Sequence, residues 1–175
     1  MQLREATPAD ADDVAALHTA SWRDAYRTIL SPDYLAGPIE AERQAIWRPR
    51  LAEPRPDQRV TLAVADGALA GFVCAFGHDD PRWGALVDNL HVARSTRGTG
   101  LGARLLREAG TWVADTYPGS SLFLWVYEAN LPARGFYDRM GGQVVERLVK
   151  SNPGGGEAAR LRIHWPDPRS IGGLA

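Results

Sequence analysis

Two stretches of this sequence hold residue types, at spacings, that could bind a phosphorylated ligand and move a proton. The first runs from Leu86 through Asp88, Leu90, His91 and Val92 to Arg94-Ser-Thr-Arg97-Gly98-Thr99-Gly100-Leu101-Gly102. An apolar run passes through a short polar turn into three glycines, and an amphipathic helical pattern starts directly after them. The first turn of a helix has unpaired backbone N–H groups and a partial positive charge, both suited to an anion. Glycines let an anion approach the backbone closely and tolerate positive φ. Arg94 and Arg97 add cationic charge at the same turn. The competing reading of the glycines is plain loop punctuation.

The second stretch is Glu128-Ala-Asn130-Leu-Pro-Ala133-Arg134-Gly-Phe136-Tyr137-Asp-Arg-Met140-Gly141-Gly142. Asn130 is a good N-cap, Pro132 suits a first helical turn, and Gly141 or Gly142 can end the helix. Asn130, Ala133, Arg134 and Tyr137 fall at i, i+3, i+4 and i+7, which is one helical face. An amide, a guanidinium and a phenol on one stripe do not read as a core-facing set. Phe136 and Met140 point elsewhere and read as core anchors. The bland alternative makes Tyr137 a half-buried packing residue.

Spacing separates the glycine-rich possibilities. A P-loop needs a Gly-Lys pair, which the chain lacks. Gly98-Thr-Gly100-Leu-Gly-Ala103 satisfies the dinucleotide pattern, but Ala93 to Arg97 separate it from the strand that should precede it directly. Arg97-Gly-Thr-Gly100-Leu-Gly102 fits Arg/Gln-x-x-Gly-x-Gly/Ala. Asn130 to Gly141 fits Asn-x-x-Ala-x-x-x-Tyr-x-x-x-Gly. Together these resemble the two signature motifs of the GCN5-related N-acetyltransferase (GNAT) superfamily. The resemblance is sharpest over residues 86–142 and extends over most of the chain, including the opening from Leu17 to Leu35.

The resemblance implies an α/β (α+β) fold with a mixed, mostly antiparallel sheet of six or seven strands flanked by helices. It implies acetyl-CoA as cosubstrate and no metal. Two neighbouring strands should splay so that the cofactor arm enters between them. Backbone at Leu90, His91 and Val92 would meet the pantetheine and thioester. The N–H groups of Arg97, Gly98, Thr99, Gly100, Leu101 and Gly102 would hold the pyrophosphate. Asn130 would bond to the cofactor arm, and Arg134 or Arg104 would reach the adenosine phosphate. Tyr137 suits the general acid, because a phenol near pKa 10 can donate to a departing thiolate. Asp88 is the expected base, directly or through water, with a solvated strand carboxylate as the competing reading. His91 has the better intrinsic pKa, but strand alternation puts it on the face opposite Asp88 unless a bulge shifts the phase. Some relatives carry a glutamate where Trp125 stands here. Trp22, Tyr26 and Tyr34 would wall the acceptor site, and packing of the N-terminal helices is the competing reading. Asp79, Asp80 and Asp88 lean toward a cationic small amine or polyamine, with a peptide α-amine as the alternative. A non-catalytic acyl-CoA-binding module and a nucleotide-binding oxidoreductase are the rival classes.

Composition agrees with an ordinary globular chain: 175 residues, 45% hydrophobic, 23% charged, net charge −1. That charge gives no field to attract nucleic acid. No apolar stretch is long enough for a membrane span, and no leader profile is evident, so a cytoplasmic protein is expected. Cys74 sits in an apolar run and reads as a buried small hydrophobe. The histidines at 18, 78, 91 and 164 lack metal-ligand spacing. No Gly-x-Ser-x-Gly elbow supports a hydrolase. Monomer and homodimer are both compatible.

These residues need a scaffold, expected in the order β-α-α-β-β-β-α-β-α-β-β. Strands are predicted at 2–5, 60–65, 69–77, 86–92, 121–127, 143–150 and 158–165. Helices are predicted at 8–20, a broken 21–36, 39–52, 100–117 and after Asn130. Asp66-Gly67 marks a tight hairpin. Residues 1–167 read as one domain and 168–175 as a frayed tail.

Overall fold

The computed structural model describes residues 1–173. Its strands are β1 (Gln2–Glu5), β2 (Gln58–Ala65), β3 (Ala68–Asp80), β4 (Gly84–Val92), β5 (Leu122–Tyr127), β6 (Gln143–Ser151) and β7 (Glu157–Trp165). The helices are α1 (Ala11–Ala25), α2 (Pro32–Ala36), α3 (Ile39–Ala52), α4 (Leu101–Thr116) and α5 (Leu131–Arg139). One seven-stranded sheet runs β1-β2-β3-β4-β5-β7-β6. Only β4 and β5 pair in parallel; every other neighbour is antiparallel.

Local chemistry accounts for most of these elements. Asp66 and Gly67 have φ of 51° and 79°, as a two-residue hairpin joining right-twisted strands requires. Before α1, the Asp10 carboxylate accepts from the Thr7 amide at 2.7 Å and from Arg4 Nη1 at 2.9 Å. The Arg4 guanidinium holds that carboxyl well below the usual range. Asp80 Oδ1 accepts from the amides of Arg82 and Trp83 at 2.8 and 3.0 Å, folding a short turn between β3 and β4. β3 thus runs on to Asp80 and β4 starts at Gly84, beyond the expected strand limits of 77 and 86, and only residues 81–83 are left as the turn.

The sheet is buried on both faces. On one, α4 lays Leu105, Leu106 and Val113 against Val73, Val87 and Leu124. On the other, α1 and α3 bring Val14 and Trp47 onto Leu62, Phe72 and Cys74. Burial pushes the Cys74 thiol up to about 12, so at neutral pH it is packing material. A third cluster of Leu30, Leu35, Ile39 and Tyr127 closes one end beneath α2.

Three expectations need correction. The helix expected to end near residue 20 continues unbroken as α1 to Ala25, because its buried face extends through His18, Thr19 and Ser21. On α5, Tyr137 does not diverge from Phe136 and Met140: all three, with Ala133, pack on the main core. The tail from residue 168 does not fray up to Gly173. Ile171 is only 2% exposed, Arg107 Nε donates to its carbonyl at 3.2 Å, and the Gly172 amide donates to Met140 O at 3.0 Å. Residues 174 and 175 lie outside the described residues.

Candidate active site

The site begins with an irregularity in β4. Cys74 pairs with Asn89 and Ala75 pairs with Val87, so Asp88 is an extra residue with no partner on β3. A bulge bends its strand and sharpens the twist. The parallel ladder to β5 ends at the same place: Ala85, Leu86 and Val87 pair with Leu122, Phe123 and Leu124, and nothing pairs beyond them. β5 stays paired on its far side through Tyr127 and Arg160. β4 and β5 therefore part company, and among the described residues no strand lies against the edge of Asp88–Val92 that faces the gap.

The bulge also settles which side chains share a face. Leu90 and Val92 face α4 and pack on its core. His91 faces the other way, its ring centroid 4.6 Å from His18 and 5.4 Å from Phe72. Asp88 faces the same side and takes Arg50 Nη1 on Oδ2 at 2.7 Å, with Asn89 Nδ2 on the same oxygen at 2.7 Å. Both candidate bases thus line one cavity of about 370 Å³ between the splayed strands and the N-terminal helices.

Burial, with the Arg43 and Arg97 guanidiniums nearby, pushes the His91 imidazole down to about 3. Burial and the His91 neighbour push His18 down as well, and its Nδ1 accepts from Trp47 Nε1 at 2.9 Å. Both rings are neutral in the folded chain at pH 7, whereas unfolded imidazoles titrate near 6.5. Folded pKa values below the unfolded ones mean that the unfolded chain binds more protons as pH falls below 6.5. Stability should therefore drop with pH in that window, by about 2 kcal/mol at pH 5 for each ring that stays neutral. Urea midpoints at pH 7 and pH 5 check this. His91→Asn should lose about half of the wild-type difference, and equal midpoints for the wild type at both pH values would contradict it.

Tyr137 reaches the cavity from α5. Its ring centroid lies 5.1 Å from Phe136 and 6.2 Å from Trp165. Burial, and to a lesser degree Tyr26, raises its phenol above the ordinary value, so it is protonated at working pH. Its hydroxyl has no protein hydrogen-bond partner among the described residues. Trp22 and Tyr26 line the same cavity in an edge-to-face chain, Trp22 to Tyr26 at 5.2 Å and Tyr26 to Tyr127 at 4.9 Å. Tyr34 does not line it. Its hydroxyl donates to Glu42 Oε2 at 2.6 Å, tying α2 to α3.

At the N-terminus of α4, Gly98 and Gly100 have φ of 78° and 83°, and a Cβ on either would meet open space. Contrary to expectation the Arg97 amide is engaged, donating to Arg94 O at 3.4 Å, and among the described residues the next amide to find a backbone acceptor is that of Arg104, on Gly100 O at 3.0 Å. The N–H groups of Gly98 to Ala103 are thus available to an anion. The Arg97 side chain is ion-paired with Asp24 on α1. Arg134 Nη1 donates to Glu128 O at 2.9 Å, which turns it onto the approach to its own helix. Asn130 Oδ1 caps α5 by accepting from the Ala133 amide at 3.3 Å, leaving its Nδ2 without a protein acceptor among the described residues.

The acidic trio expected to attract a cation does not assemble. Asp79 and Asp80 lie outside the cavity, and Asp80 binds Arg162 Nη1 at 3.2 Å. Cationic residues take their place: Arg43 and Arg50 from α3 and Arg160 from β7 line the walls. Arg43, Trp47 and Arg50 recur at i, i+4 and i+7, a helical stripe the sequence did display. Arg160 offers no such signal, because only strand pairing brings it beside Tyr127.

A sheet that opens between two parallel strands, beside a helix N-terminus rich in free amides, is built to admit an extended phosphorylated molecule. Known proteins give the family. The sequence model of the acetyltransferase (GNAT) family matches residues 17–142. "Probable N-acetyltransferase Rv2775" of Mycobacterium tuberculosis is 30% identical over 160 residues, 87% of this chain and 86% of that one. Blasticidin-S acetyltransferase of Streptomyces morookaense is 32% identical over 115 residues, covering 63% of this chain and 79% of its own. Among solved structures, the PaiA N-acetyltransferase of Thermoplasma acidophilum in complex with coenzyme A superposes with a TM-score of 0.72 at 19% identity. That match covers 94% of this chain and 98% of the other. The chain belongs to the acetyltransferase (GNAT) family, and it is an acyltransferase.

Proposed function

We propose that this chain transfers an acetyl group from acetyl-CoA to a primary amine of a small molecule by direct attack on the thioester. The observation that carries the reading is the split of β4 from β5, with free amides at one mouth and the Tyr137 hydroxyl in the cavity. The residues present fit the cosubstrate. The amides of Gly98 to Ala103 would hold its pyrophosphate, the open edge of Leu90–Val92 would pair with its amide-bearing arm, and Asn130 Nδ2 would donate to that arm. Acetyl-CoA supplies an activated acyl carbon and a thiolate leaving group.

The chain's own groups then handle the protons. An amine must be neutral to attack, so the ammonium loses a proton first. Asp88 Oδ1 has no protein partner among the described residues and takes that proton directly or through a water. The Tyr137 hydroxyl donates toward the sulfur as the carbon–sulfur bond breaks, and the second proton that the nitrogen sheds on becoming an amide ends on the thiol, leaving the phenol intact. His91 remains a neutral wall of the site. A relative whose name gives a small antibiotic as acceptor supports the small-molecule reading, as does the modest cavity.

Acetyl-CoA or CoA should raise the melting temperature, whereas NAD, ATP and FAD should not. At a ligand concentration about 100 times Kd the gain is roughly 2.7 kcal/mol. Thiol release in the presence of amines then separates an enzyme from a silent acyl-CoA binder. No shift with millimolar CoA would remove the reading.

A further inference from the structure

The charges on the cavity wall point to the chemistry of the acceptor. The charged side chains lining the cavity are Arg43, Arg50, Arg160 and Asp88. Asp88 neutralises Arg50. That leaves two guanidiniums without an adequate counter-charge.

Arg43 is 7% exposed, and its Nε is buried with no hydrogen-bond partner. Its Nη2 makes only long contacts, 3.4 Å to the Tyr34 hydroxyl and 3.5 Å to Glu42, a carboxylate that is 42% exposed and already accepts from Tyr34 at 2.6 Å. The guanidinium stacks 4.3 Å over the Trp22 ring, which places it on the acceptor wall. Arg160, from β7, also lines the cavity and has a buried Nε without a partner among the described residues. Its Nη2 donates only to the Tyr127 hydroxyl and Ser151 O, both at 3.3 Å. No carboxylate pairs with it among the described residues.

Arg162 shows what a purely structural buried arginine looks like in the same sheet. It is 8% exposed, and Glu146 at 2.7 Å and Asp80 at 3.2 Å satisfy it. A buried guanidinium lacking such partners is costly, and an incoming anion removes that cost. The neighbouring imidazoles, both held neutral, neither compete for an anion nor add to the field.

We propose that the acceptor is a small primary amine that also carries a carboxylate, seated by Arg43 and Arg160, so that its amine lies toward Asp88. The assignment rests on the acetyltransferase reading above and narrows its substrate class. The aromatic walls formed by Trp22, Tyr26 and Tyr127 suit an apolar remainder.

The test compares leucine, methionine and phenylalanine with their carboxamides, with 3-methylbutylamine and with spermidine. Each is assayed for acetyl-CoA-dependent thiol release and for thermal shift of the protein alone. At least one amino acid should exceed its amide by about tenfold or more in kcat/KM, the scale of a hydrogen bond to a charged group. That amino acid should also raise the melting temperature without CoA, where its amide does not. Arg43→Gln and, separately, Arg160→Gln should cut the preference at least about fivefold through KM. Acetyl-CoA affinity should be unchanged. If Arg43→Gln does not fold, Arg160→Gln and the wild-type comparison decide. Equal use of amides, or a preference for spermidine, overturns the proposal while leaving the acetyltransferase reading intact. An amino-acid shift in a protein that fails to bind CoA would sink the latter and keep the anion site.

Discussion

Tyr137→Phe should lower kcat by about 10²-fold, with acetyl-CoA affinity and melting temperature almost unchanged. The substitution removes one oxygen and nothing else that the fold uses. The Tyr137 ring packs on Phe136 and Trp165, and phenylalanine keeps those contacts. Among the described residues the hydroxyl has no protein partner to lose. A loss of turnover without a loss of stability is the signature of a group that acts mainly in the transition state. The size is set at the lower end of general-acid effects, because a thiolate leaves tolerably without full protonation. Burial raises the phenol further above the thiol, so hydrogen-bond donation to sulfur is favoured over complete proton transfer. Steady-state kinetics and melting curves on the purified variant check both halves. Wild-type turnover in a folded Tyr137→Phe protein would rule the role out. Lost stability with intact turnover would make the residue a packing group.

Gly100→Val should weaken CoA binding by about 10²-fold or more, equivalent to roughly 2.7 kcal/mol. Gly100 has φ of 83°, and a Cβ there would meet no protein atom. The new side chain therefore enters the space in front of the free amides, where phosphate oxygens would sit. The left-handed backbone adds a folding cost of about 1–2 kcal/mol, visible as a lower melting temperature. Gly102→Ala is the control. Its Cβ would lie 3.5 Å from the Phe136 ring in ordinary contact, and φ there is not positive, so the fold should tolerate it. Affinity should fall much less than for Gly100→Val. Calorimetric titration of both folded variants with CoA reads the difference. Equal affinity in wild type and Gly100→Val would place the phosphate elsewhere.

These two experiments probe the parts of the site that the amino-acid order made legible. Three glycines after a strand, a tyrosine seven residues after an asparagine cap, and the Asp66-Gly67 hairpin all report local backbone preferences. Their partners lie within a turn or two along the chain, so spacing alone exposes them. The element order and most of the strand limits followed for the same reason. The charge of the cavity was not legible in that way. Acidic residues at 79, 80 and 88 look like a cation trap when read in a line. In the fold, Arg50 and Arg162 neutralise two of them, and Arg43 and Arg160 supply the opposite charge. Those arginines come from α3 and β7, more than a hundred residues apart, and only helix docking and strand pairing bring them together. The bulge at Asp88 is equally invisible in one dimension, since nothing in Val87-Asp88-Asn89 demands an unpaired residue. It arises from the register that β3 and β4 adopt in order to bury Phe72, Cys74 and Val73 on their proper faces. One extra residue then turns Asp88 and His91 onto the same side and releases β4 from β5. Local preferences write themselves into neighbouring residues, but the charge and shape of a cavity belong to surfaces that meet only after the sheet has formed.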